Sequence, residues 1–358
     1  MSVYLLTVVW IFVFGLIQGR NVKLGDPLSN GERKVITPFI YLLPLAGALI
    51  FVGGFRYNVG TDFWSYYMLF RPTYGDIVER FQQLDEPIIY ALTYYCRLLW
   101  DEGIFVIFVE QALTILLVFK GLREHNTKNY TLPLLLYIFY CGWLFTFNGV
   151  RQGLAVALIF AFSGKKGKFW YLRYALVCFV AFLIHKTALL MIPFLLLSGR
   201  KFDWLQILFL IVAGVAIYLG GDMAYTYMGG TAENVGDYAT NDINFVRVLV
   251  AFVPPSICII ALFKGLNGFL SRNKTIINLV AFNAVIMIAT MGSAYINRFS
   301  YYTMIYNMVL IPKMEDIFEE KSKRLFLIMV FILFFAYFLY ETRSVADFQW
   351  AFGNFGKY

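Results

Sequence analysis

The chain has 358 residues, 60% of them hydrophobic and only 15% charged, with a formal net charge of +8. Soluble globular domains carry about a quarter charged residues, so composition excludes that class and points to an integral membrane protein. The four cysteines, Cys96, Cys141, Cys178 and Cys258, have no paired spacing, which argues against a disulfide or metal framework.

The first apolar run, VYLLTVVWIFVFGLI, has no basic flank before it and no small-residue cleavage site after it. It reads as a retained span, not a removed signal peptide. Counting it as 2–18, apolar runs follow near 35–54, 103–119, 131–147, 150–163, 169–184, 187–198, 204–220, 245–263, 275–291, 299–312 and 325–341. The expected fold is an all-α polytopic membrane protein of about twelve transmembrane helices, one integral domain over residues 1–358. Between these runs, 55–102 reads as an extracytoplasmic segment with amphipathic helices, and 221–244 as an extracytoplasmic loop.

Alternating the loops between two sides separates the charges. Arg20, Lys23, Arg33, Lys34, Lys120, Arg123, Lys128, Lys165, Lys166, Lys168, Arg173, Arg200 and Lys201 fall on one side. Lys264, Arg272, Lys274, Lys313, Lys321, Lys323 and Arg324 join them, giving 20 of the 30 Lys and Arg residues. The positive-inside rule makes this side cytoplasmic and both termini extracytoplasmic. Asp222, Glu233, Asp237 and Asp242 then occupy an outer loop that has no Lys or Arg. The run 187–198 spans only about 18 Å as a helix, so the turns at 148–151 and 185–186 are expected to be recessed in an outward-facing cavity. Tilted or peripheral helices are the alternative.

The polar residues that interrupt apolar sequence all face outward in this arrangement. They are Arg56 and Asp62 in FRYNVGTDFWSYY, Glu86 in DEPIIYALTYY, Arg151 and Gln152 in FNGVRQGLAVALIF, His185 and Lys186 in FLIHKTALL, and Asn297 and Arg298 in YINRFSYY. Ionisable groups near the membrane interior cost about 2.5–3.5 kcal/mol each on insertion scales, so several on one face call for a reason. Each also has a plainer reading. Asp62 can cap the helix after it, and Glu86 before Pro87 can be an N-terminal helix charge. His185 can be a structural hydrogen-bonder, and the outer aromatics Tyr57, Trp64, Tyr66, Tyr67, Tyr94 and Trp100 can form an interfacial belt. Mid-span Glu110 is expected to hydrogen-bond across helices. No phosphate-cradling GxxxxGK[ST], HExxH or GxSxG is present.

RYNVGTDFWSYY, then NGVRQGLAVALIFAFS, a basic loop and FLIHKTALLMIPFLL resemble the EpsG-like branch of the Wzy bacterial polysaccharide polymerases. The likeness covers residues 50–200 well, with a weaker echo at NRFSYY. It implies a membrane-embedded glycosyltransferase of the C type at the outer face of the bacterial cytoplasmic membrane. Such enzymes join polyprenyl-pyrophosphate-linked oligosaccharide units into O-antigen or capsule, alongside membrane lipids and a chain-length regulator protein, with no nucleic acid partner.

The residue types suit that chemistry. Arginine's planar fork matches phosphate oxygens where leaving-group charge grows, so no cofactor or metal is required. Arg151 and Arg298 are assigned to the pyrophosphate, with Arg56 a weaker third. His185 and Asp62 are both candidates for the base that takes the acceptor proton, and the sequence does not separate them. Gln152, Lys186, Glu86, Asn148, Asn297, Tyr57, Tyr66 and Tyr302 are expected at the substrate. A lipid-linked oligosaccharide flippase and an outer-face ligase or acyltransferase are the rival readings.

Overall fold

A computed structural model of the chain describes residues 1–27, 33–140, 142–164, 168–194, 199–227, 243–343 and 347–353, and these are almost wholly helical. The expected 221–244 loop lies largely outside the described residues. So do Lys165, Lys166 and Cys141. By contact the chain divides into two compact units, residues 1–192 with 331–358, and residues 193–330. That division stands beside the expectation of a single domain.

In the first unit α1 (Ser2–Arg20) leads to a hairpin of β1 (Lys23–Pro27) and β2 (Arg33–Ile36) and then to α2 (Leu43–Gly54). After β3 (Arg56–Tyr57) and a π-helical turn at Ser65–Leu69 come α3 (Tyr74–Gln83) and α4 (Pro87–Leu99). The long α5 (Gly103–Glu124) is followed by α6 (Thr131–Phe139), α7 (Gly142–Asn148), α8 (Val150–Phe162) and α9 (Trp170–Phe182). In the second unit α10 (Trp204–Tyr227), α11 (Phe245–Phe263) and α12 (Asn267–Ala289) precede three short helices, α13 (Ala294–Asn297), α14 (Tyr301–Met304) and α15 (Asn307–Lys313). Then α16 (Glu320–Thr342) enters the first unit at Phe331, and β4 (Gln349–Trp350) closes the described chain.

Small residues set the directions in the first unit, because they let backbones approach. Gly53 and Gly54 of α2 lie against Gln111 and Phe108 of α5, while Gly121 of α5 lies against the Phe160 ring of α8. Thus α2 runs against α5, and α8 runs with it. Gly15 and Gly19 of α1 meet Thr131 and Asn129 at the start of α6. Arg20, Lys128, Lys120 and Arg173 therefore gather at one end of this unit. Gln18 Nε2 donates to Lys128 O (3.1 Å) and Arg173 pairs with Glu124 (3.5 Å) there. The turns carrying Arg56, Glu86, Arg151 and His185 lie at the other end.

Four helices, α1, α5, α11 and α16, are long and apolar enough to cross a membrane, and α6 with α7, bent by 47°, pass the same test as a pair. Leu43–Gly54, Val150–Phe162, Trp170–Phe182 and Trp204–Gly220 are shorter apolar helices. This is a polytopic membrane protein, but the described residues do not yield twelve spans. The expected span 187–198 begins as a six-residue 3₁₀ helix, Lys186–Met191, and 299–312 is broken into α14, α15 and the turns around them. Apolar composition is common to membrane spans and to short packed helices, so hydropathy alone does not fix the number of spans.

Two features seat the loop before the π-turn. Trp350 pairs with Arg56 and Gln349 with Tyr57, so β4 covers β3. Gly60 has φ of +103°, and a Cβ there would lie 2.7 Å from both Asn148 Oδ1 and Phe147 O, while Thr61 N donates to the same Oδ1 at 2.7 Å. Gly60→Ala is therefore expected to destabilise the protein by about 2 kcal/mol from the left-handed backbone and the clash together. Thermal unfolding in detergent reads this, and an unshifted transition would refute it.

Candidate active site

Glu86 sits at a sharp corner. The chain leaves α3 through Leu84 (φ 52°) and enters α4 through Glu86 (φ 55°), both left-handed without being glycine. Such a conformation costs about 1–2 kcal/mol, so surrounding contacts must hold it. Ile88 N donates to Leu183 O at 3.0 Å, tying the first turn of α4 to the end of α9. Asp85 pairs with Arg80 and with Lys186 Nζ, the latter at 2.8 Å.

The buried Glu86 carboxylate is the hub. Oε2 accepts from Arg151 Nη1 at 2.7 Å. Oε1 lies 2.7 Å from His185 Nδ1 and accepts from Lys186 N at 3.1 Å. An ionised carboxylate can only accept, so Nδ1 carries the proton and Nε2 is the basic nitrogen. The Arg151 guanidinium also lies 6.0 Å from the centre of the Tyr66 ring. The side chain of Glu86 is 5% exposed, against 36% for Arg151 and 23% for His185. The acid is thus enclosed, while the cation and the imidazole both reach the surface.

Burial pushes the Glu86 carboxyl up, but the His185 hydrogen bond and the charges of His185 and Arg151 outweigh it and bring it down to about 2. A depressed carboxyl stabilises the fold above its unfolded value near 4.5, and the contribution is lost as pH falls from there towards 2. The stability gap between wild type and Glu86→Gln should therefore be fully present above about pH 4.5 and narrow as pH falls below it. Thermal unfolding of both proteins from pH 7 to 3 checks this, and a gap that widens in acid would contradict it.

The other residues singled out from sequence fall in different places. Arg56 is 1% exposed and donates to Val59 O and Phe147 O (both 3.3 Å) and to Gly53 O, with its guanidinium 4.6 Å from the Phe147 ring centre. It ties α2 to α7, and its buried donors face carbonyls, not a substrate. Arg56→Leu, which strips three buried carbonyls of their donor, is expected to lower the melting temperature by about 5 °C or more. An unchanged melting curve would show that these bonds are dispensable.

Asp62 accepts from Thr61 Oγ1 at 3.1 Å and neighbours Tyr66. The cap expected of Asp62 is not formed by its side chain. Asn148 is engaged by Thr61, and Gln152 is buried on α8. Tyr57 and Tyr66 belong to the buried cluster with Phe63, Tyr67, Ile104, Ile107, Val150 and Ala351 that supports the start of α8. In the second unit Asn297 Nδ2 donates to Thr290 Oγ1 at 2.8 Å and Tyr302 is buried. Arg298 lies beside them in a 3₁₀ turn. Glu110 is fully buried near the charges of Arg151 and Arg56. The hydrogen bond across helices expected of it is absent among the described residues.

A family model described as the EpsG family matches residues 39–353, nearly the whole chain. The chain belongs to the EpsG family. No curated protein and no solved structure matches it. EpsG-like proteins are polysaccharide polymerases of the Wzy type. The span matched to the EpsG family includes the whole Glu86 cluster as well as Arg298. Glu86 was visible in the sequence as a substrate-binding candidate. Its partners lie 65 and 99 residues away, and no local pattern announces them.

Proposed function

We propose that this EpsG-family chain polymerises polyprenyl-pyrophosphate-linked oligosaccharide repeat units at the outer face of the bacterial cytoplasmic membrane, with a glycosyltransferase architecture of the C type. The observation that carries the reading is one enclosed carboxylate, Glu86, holding both a surface-reaching arginine and a histidine at 2.7 Å. In the reaction the acceptor sugar hydroxyl attacks the anomeric carbon of the growing chain. His185 Nε2 takes the hydroxyl proton, the new glycosidic bond forms, and the bond from the anomeric carbon to the pyrophosphate oxygen breaks. The lipid pyrophosphate leaves with the bonding pair.

Arg151 meets that growing negative charge. A guanidinium has five N–H donors, so the bond to Glu86 leaves others for phosphate oxygens. Glu86 fixes the tautomer of His185, as the carboxylate does in hydrolase triads. This arrangement favours His185 over Asp62 as the base. One displacement by one base inverts the anomeric centre. Arg298 stays a pyrophosphate candidate on sequence grounds, tested by its own alanine variant.

The test is incubation of purified protein with a lipid-linked repeat unit. A ladder of polymer supports the reading. Unchanged substrate would favour the flippase reading, and transfer to an unrelated acceptor would favour a ligase.

A further inference from the structure

At the end of the first unit away from Glu86, a cavity of about 880 Å³ runs between α2 and α5. Its walls are apolar, with Leu43, Ala46 and Ile50 on α2 facing Leu116 and Phe119 on α5. Its rim carries Lys34, Lys120 and Arg123, all exposed. The acid at the rim, Glu124, is paired with Arg173 of α9, so the cationic character of the rim is not cancelled from within.

The rim is built into the fold. Asn126, left-handed at φ 55°, follows α5; its Oδ1 accepts from Val35 N at 2.8 Å and its Nδ2 donates to Arg33 O at 3.0 Å. These two bonds clamp β2 to the end of α5 and bring Lys34 to the rim. Lys120 Nζ lies 3.9 Å from the centre of the Phe162 ring. The trough opens sideways past Leu43 and Leu116, which are 45% and 51% exposed. A Cβ on Gly47 would meet nothing within 4 Å. The twelve residues of α2 extend about 18 Å, close to the ~15 Å half-thickness of a bilayer's hydrocarbon core.

We propose that this trough binds one anionic glycerophospholipid, its phosphate at Lys34, Lys120 and Arg123 and an acyl chain along α2 and α5. Snorkelling lysines alone would need neither the apolar trough nor the clamp on β2. Basic pockets between membrane helices recognise lipid headgroups through this combination of charge and apolar wall. The proposal does not depend on the catalytic reading.

The test is native mass spectrometry of the detergent-purified full chain titrated with phosphatidylglycerol or phosphatidylcholine. Wild type should retain one phosphatidylglycerol under activation that strips phosphatidylcholine. Replacing the rim as Lys34→Gln, Lys120→Gln and Arg123→Gln should weaken that retention at least about tenfold. The same charge loss on α16, as Lys321→Gln, Lys323→Gln and Arg324→Gln, should leave it intact. Gly47→Leu, which fills the trough and keeps every charge, should also release the lipid. Equal retention of the two lipids by wild type overturns the proposal with no variant needed. So does equal loss in both charge variants, or undiminished binding in Gly47→Leu.

Discussion

Glu86→Gln is expected to slow polymer formation by about 10²–10⁴-fold, the range contributed by a positioned general base. The carboxylate has two oxygens, and both are surrounded by N–H donors from Arg151, His185 and Lys186. A carboxamide must turn its NH₂ towards one side or the other. Facing His185, it favours the tautomer with the proton on Nε2, which cannot accept one from the acceptor; facing Arg151, it sets donor against donor. The measurement is turnover of a lipid-linked repeat unit, with Glu86→Gln, His185→Ala and the double variant assayed together. Groups that act as a unit give strongly non-additive losses. Additive losses, or wild-type rates in Glu86→Gln, would separate Glu86 from the base.

Arg151→Ala should abolish visible chain growth, a loss of about 10³-fold or more if it removes the principal donor to the leaving pyrophosphate. Truncation also leaves Glu86 without its cation and removes one of the two charges near Glu110, so the alanine variant mixes catalysis with stability. Arg151→Lys distinguishes them. It keeps the charge but loses the planar fork that meets phosphate oxygens two at a time, so folding should survive while activity stays far below wild type. If Arg151→Ala made full-length polymer, the proposed role for this arginine would fail. If Arg151→Lys restored wild-type rates, point charge and not fork geometry would be what the reaction needs.

How much of this was readable in advance differs from residue to residue. That Arg151 and His185 interrupt apolar sequence is local information, visible because ionisable groups are rare in such runs. The separation of the basic loops at Lys128 and Arg173 from these residues was also legible, since alternating helices must put successive loops at opposite ends. The form taken by 187–191, at the start of the expected span 187–198, was not. Its residues are apolar whether they cross a bilayer or pack as a short 3₁₀ turn, and only the neighbours they pack against decide between the two. Arg56 shows the same limit. At the head of RYNVGTD it resembled a ligand-binding cation, yet three carbonyls brought together by α2, the loop after β3 and α7 enclose it.

Composition, hydropathy and the order of three short motifs were enough to determine a polytopic membrane protein and its family, because each is a property of neighbouring residues. Which charges meet was decided by tertiary structure alone. Glu86 could be written off as a helix-start charge until the left-handed corner, the Ile88–Leu183 bond and the start of α8 brought His185 and Arg151 to its two oxygens. Distances across 65 and 99 residues of chain depend on how helices pack, and no local periodicity encodes that.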